Sequence, residues 1–109
     1  MENEITKAIV KGTRIIHINK MIEINQEFII EKGSEEWDTY INNSLQFSKS
    51  EFELNNGFGL WNIKPFRNQL ANDVELNKEL ADSKILNELF SAQKIFIQTP
   101  DGIEEIIPI

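Results

Sequence analysis

Apolar positions along the chain change period several times, and each change marks an element. Ile16, Ile18, Ile22 and Ile24 all fall on even positions, so an extended chain carries them on one face. A hairpin with the loop Asn19-Lys20-Met21 pairs Ile18 with Ile22 and Ile16 with Ile24. A single long strand satisfies the same alternation, and the pattern does not separate the two. Asn25-Gln26 interrupts the run, and residues 27–32 read as a further strand ending at Gly33. Upstream, Ile5, Ala8 and Ile9 share a helical face before Gly12, so residues 3–11 read as a short helix, with a strand as the rival.

The clearest helix start follows. Ser34 is a natural N-cap, and Glu35, Glu36 and Asp38 put negative charge at the positive end of the helix dipole. Trp37, Ile41 and Leu45 then repeat at i, i+4 and i+8, with Tyr40 beside them, which predicts a helix to about Gln46 that buries all three. Phe52 and Leu54 alternate, Asn55-Asn56-Gly57 supplies a turn, and Phe58, Leu60 and Asn62 alternate again, which predicts a hairpin ended by Pro65.

From Asp73 the period is helical once more. Val74, Ala81 and Ile85 keep one face, as do Leu76 and Leu80, and then Leu86, Leu89 and Phe90. Asp82-Ser83 is a second capping signal, so residues 73–92 form one helix or two. Residues 94–99 read as a strand, Pro100-Asp101-Gly102 as a turn, and residues 103–109 as a closing strand. The sum is a single α+β domain over 1–109, a mostly antiparallel sheet with two to four helices on one face.

With 109 residues, 40% hydrophobic and 27% charged, the chain is long enough for one core and ordinary enough in composition to fold. It has no Cys, which excludes disulfides, thiol nucleophiles and thiolate metal sites. The first twenty residues lack the basic and apolar regions of a signal peptide, and no apolar run approaches the ~20 residues of a membrane span. A cytoplasmic protein without membrane contact is expected. The net charge is −7, with two acids and four bases in residues 1–20 but eight acids and three bases in residues 69–109. That charge disfavours direct binding to nucleic acid.

Candidate chemistry is sparse. His17, between Ile16 and Ile18, is the one histidine, too little for a zinc site and poorly placed for a general base. No phosphate-binding glycine loop, nucleophile elbow or metalloprotease motif occurs. The acid pairs Glu35-Glu36, Glu51/Glu53 and Glu104-Glu105 read as solvated surface. No catalytic residue, cofactor or metal is expected.

Two features suit a protein partner instead. Residues 55–66 hold Phe58, Trp61 and Phe66 beside a turn; Phe58, between two glycines, is expected as an exposed tip, and Trp61 as a second contact. Asp73, Glu75, Glu79, Asp82, Glu104 and Glu105 make an acidic set suited to a basic partner, with Glu75, Glu79 and Asp82 on one helix face. Leu80, Leu86 and Leu89 are expected to hold that helix down. The expected function is therefore a non-catalytic, acidic, protein-binding inhibitor of the toxin-immunity or phage counter-defence type. A structural subunit that self-associates as a homodimer through the edge strand 103–109 is the alternative. An enzyme with an oxygen-ligated metal stands third.

Overall fold

A computed structural model of the chain describes residues 4–66, 69 and 74–109, the side chains of residues 43 and 74 apart. The elements run β1 (Lys7–His17), β2 (Met21–Glu31), a wide π-turn (Trp37–Ile41) leading into α1 (Asn42–Ser44), α2 (Lys49–Leu54), β3 (Gly59–Asn62), a 3-10 turn (Lys64–Phe66), α3 (Val74–Asp82), β4 (Asn87–Thr99) and β5 (Gly102–Glu105). The five strands form one antiparallel sheet in the order β2-β1-β4-β3, with β5 also on β4. The expected α+β class and mostly antiparallel sheet are what the fold displays.

β1 and β2 are the two arms of a hairpin, so the chain takes that option and not the single strand. The loop is Ile18-Asn19-Lys20, and Ile16 pairs with Ile22 and Arg14 with Ile24. The register differs by two residues from the expected pairing. A shift of two keeps every side chain on its face. Ile16 and Ile18 accordingly cluster with Ile22 and Ile24 as expected.

Other segments correct the sequence reading. Of the expected helix 3–11, the described residues from 4 onward are not helical: from Lys7 they belong to β1, whose backbone is hydrogen-bonded to β2 on one side and β4 on the other. Two neighbours override a weak local helical spacing. β2 continues through Asn25-Gln26, because Gln26 turns inward to polar partners. Residues 49–54 are helical, not the first arm of a hairpin; Ser48 and Glu51 close a reciprocal capping box at the start of α2. β3 pairs with β4 instead. Within residues 73–92, expected to be helical, the helix covers Val74–Asp82, and β4 is already extended at Asn87. Leu86 is exposed and Leu89 lies on a strand, so of the three leucines only Leu80 anchors α3. The closing strand is short, ending at Glu105, with Ile107 and Ile109 exposed.

Ser34 does cap its helix: its Oγ accepts the backbone N–H of Trp37 at 3.2 Å. Trp37 and Ile41 are buried as expected, but Leu45 is 39% exposed. The π-turn hydrogen-bonds Asn42 N–H to the Trp37 carbonyl, five residues back, and α1 ends at Ser44. The extra residue in that turn moves the buried phase, so Ser44 faces inward where Leu45 was expected.

The core lies on the even-numbered face of β1 and β2, with Ala8, Val10, Phe28 and Ile30 against Trp37, Ile41, Trp61, Ile63 and Phe66. On β4 the buried positions are Glu88, Phe90 and Ala92, then Ile95 and Thr99. The switch from even to odd is a bulge at Gln93: Gly12 faces Ala92 while Lys11 faces Lys94. A second cluster, Ile16, Ile18 and Leu80, sits under α3 at the loop end of the hairpin.

Candidate binding surfaces

The two aromatic candidates are core residues. Phe58 is 5% exposed, edge-on to Phe52 and Phe47, and its backbone N–H reaches the Ala92 carbonyl at 2.8 Å. The expectation of an exposed tip is thereby corrected. The glycines beside Phe58 serve the backbone: Gly57 has φ +113° and a Cβ there would lie 2.6 Å from the Ala92 carbonyl oxygen. The loop thus tucks against the bulge and turns Phe58 inward. Trp61 is also 5% exposed, stacked on Tyr40 at 4.6 Å, with its Nε1 donating to the Phe58 carbonyl at 3.3 Å. Tyr40 donates its hydroxyl to the Asn62 carbonyl at 3.1 Å. Burial, with Glu36 adding to it, pushes its phenol pKa up.

Asp73 lies outside the described residues. Glu75, Glu79 and Asp82 are all exposed on α3, as the spacing implied. Glu79 already pairs with Lys20 at 3.3 Å across the hairpin loop. Lys78 and Lys84 flank the same acids along the chain, so this face is close to neutral. Glu104 and Glu105 are exposed on β5, opposite Ile97 and Phe96. That is the far end of β1 from α3, roughly 25–30 Å away at ~3.3 Å per residue. The five acids among the described residues do not form one patch.

Acidity gathers elsewhere. Glu23, Glu27 and Glu31 are exposed in one column of β2, and Glu35, Glu36 and Asp38 follow at the start of the π-turn, with Lys32 as the one base among them. The alternation of β2 held this signal: the odd positions between the buried even ones carry the glutamates.

The sheet face opposite the core is bare among the described residues. Antiparallel sheets often leave such a face to water and polar residues. Here it is banded. One row across the strands is Ile29–Ile9–Phe96 and another is Glu23–Ile15–Leu89; between them run Glu27–Lys11–Lys94 and Asn25–Thr13–Ser91. Leu60 on β3 and Ile103 on β5 extend the apolar surface, both exposed. The Lys11 ammonium lies 5.1 Å from the centre of the Phe96 ring. Among the described residues, Lys7, Lys11, Lys94 and the β2 glutamates form no ion pair with one another.

Within the core, Arg14, Glu88 and Gln26 form a buried polar centre. Arg14 Nη2 is 3.1 Å from Glu88 Oε2 and Nη1 is 3.4 Å from Gln26 Oε1. The Gln26 amide donates to the Gln69 carbonyl, and the Gln69 side chain grips the edge of β2, accepting from Ile29 N–H at 2.7 Å and donating to the Ile29 carbonyl at 2.8 Å. No sequence motif marks this centre.

His17 is half-buried on the bare face, between Met21 and Asn87 in the ladder. Among the described residues no three His, Asp or Glu side chains converge as metal ligands, and no helix is long and apolar enough to cross a membrane. Comparison with protein families, characterised proteins and solved structures finds no match to this chain.

Proposed function

We propose that the protein acts by binding protein and not by catalysis, as an acidic inhibitor of the toxin-immunity or phage counter-defence type, with its contact surface on the bare face of the sheet. The banded rows around Ile9, Ile29 and Phe96 carry this reading. An apolar band on an otherwise solvated sheet face is a docking feature, and the neighbouring columns of glutamate and lysine give it orientation. Phe58 and Trp61 support the fold behind that surface.

Amine-reactive labelling read by mass spectrometry tests the reading. Lys7, Lys11 and Lys94 lie on the bare face, whereas Lys49, Lys78 and Lys84 do not. In the native cellular extract the first three are expected to lose reactivity relative to the dilute purified protein, while the others keep it. Equal labelling of all six in both conditions removes the bare face from consideration.

A further inference from the structure

We infer that the occupant of the bare face is a second copy of this chain, seated face to face about a two-fold axis that runs along β1. The inference rests on the reading of this face as a protein-binding surface and names what covers it until a target protein displaces it. β1 lies between β2 and β4, so rotation about it exchanges the β2 column of one copy with the β4 column of the other. Each row then meets itself in reverse. In the apolar row, Ile29 faces the second copy's Phe96, and Ile9 meets Ile9 at the axis. In the adjacent row, Glu27 faces the second copy's Lys94, and the same pair forms again by symmetry.

An isologous contact demands that one patch complement itself. In its two central rows this face does so in both polarity and charge: Glu27 stands on one side of β1 and Lys94 on the other, and the apolar row Ile29–Ile9–Phe96 lies beside them. Lys11, at the axis, leans over its own Phe96 ring and so away from its symmetry mate. Stacked sheets about 10 Å apart, rotated by roughly 30°, keep these central rows opposed while the outer rows diverge. Glu27, Lys11 and Lys94 are exposed, and among the described residues none of them is held in an ion pair, so none has to be freed from one.

Light scattering and sedimentation of the purified full chain over a wide concentration range test the inference. The wild type is expected to pass from monomer to dimer. Ile29→Glu, at an exposed position, should hold it monomeric with unchanged circular dichroism and melting; Phe96→Glu should do the same. Glu27→Lys and Lys94→Glu should each weaken the dimer severalfold, and the double exchange should recover it. A monomer at every concentration overturns the second copy; protection of Lys7, Lys11 and Lys94 in the extract would then still support the face as a site for a foreign protein, whereas no protection sinks both readings. A dimer indifferent to Ile29→Glu, Phe96→Glu and the charge exchanges places the contact elsewhere and overturns the inference as well.

Discussion

Arg14 and Glu88 form an ion pair that is closed off from water, 3.1 Å between Nη2 and Oε2, with the two residues 3% and 8% exposed. Val10 of the larger apolar cluster precedes Arg14 on β1 and Ile16 of the smaller one follows it. Arg14 Nε finds no acceptor among the described residues. Removing one partner strands a buried charge, so Glu88→Leu should cost about 3–5 kcal/mol, whereas replacing both with apolar residues of similar volume is often neutral or stabilising. Urea midpoints of Glu88→Leu and of Arg14→Met/Glu88→Leu check this: the double variant should be the more stable of the two.

Gly12 is fixed by close approach. A Cβ there would stand 1.9 Å from the Ser91 carbonyl oxygen and 2.9 Å from the Phe90 ring. Ser91 is backbone in the central strand pair and cannot swing aside. Gly12→Ala should therefore cost at least the ~1–3 kcal/mol of an overpacked core, seen as a lower melting temperature. Gly33, where nothing lies within 4 Å, offers a comparison in which only the positive φ opposes a side chain.

Trp37 and Leu45, expected on one helix face, should now separate in their response. Trp37→Ala and Phe58→Ala each remove a buried aromatic and should cost about 3–5 kcal/mol. Leu45→Ala should stay within roughly 0.5 kcal/mol of wild type, as exposed substitutions do. Chemical denaturation of the three variants gives the comparison directly. A Phe58→Ala protein of unchanged stability would return that residue to the surface.

The Ser48–Glu51 box links α2 to pH. The Ser48 backbone N–H donates to Glu51 Oε2 at 2.9 Å, its hydroxyl donates at 2.8 Å, and these bonds hold the carboxyl below its ordinary value of 4.5. A lowered folded-state value means that the stabilisation is complete above the ordinary carboxylate range and fades as pH falls through the folded value. In an NMR titration Glu51 should have a midpoint below that of the free carboxyl, and Ser48→Ala should raise it. The stability gap between the variant and the wild type should narrow toward the acid end without closing, because the Ser48 Oγ still accepts the Glu51 backbone N–H there.

Features set by local chemistry were legible in the sequence: the Ser34 cap, the turn at Pro100-Asp101-Gly102, and the shared face of Ile16, Ile18, Ile22 and Ile24. The misread stretches of β2 and β4 share a cause. Arg14, Gln26 and Glu88 sit at core positions of three adjacent strands, so polar residues broke the alternation of β1, β2 and β4 together. Burial of such groups depends on their meeting one another across strands, and no single segment announces that. The bulge at Gln93 then moved the buried phase of β4 from even to odd. The α2 helix is different: Ser48 and Glu51 carried the capping-box signature, and the weaker alternation of Phe52 and Leu54 obscured it. Of the candidate residues, the α3 acids were legible as a face, because helix spacing alone decides that. The bare sheet face was not, because its rows are assembled from strands far apart in the chain.

The pairing of β1 with β4 also sets an order in time. Lys7–His17 and Met21–Glu31 have a short loop between them and can zip together as a hairpin within microseconds. The other edge of β1 stays vacant until residues 87–99 arrive, because Lys7 pairs with Gln98 and His17 with Asn87. During synthesis the ribosome has to deliver most of the chain before the central strand gains its second neighbour. Contacts this distant slow folding toward the millisecond-to-second range. Over that interval the nascent hairpin exposes an unpaired strand edge bearing Ala8, Val10 and Ile16, the stretch a chaperone would meet first.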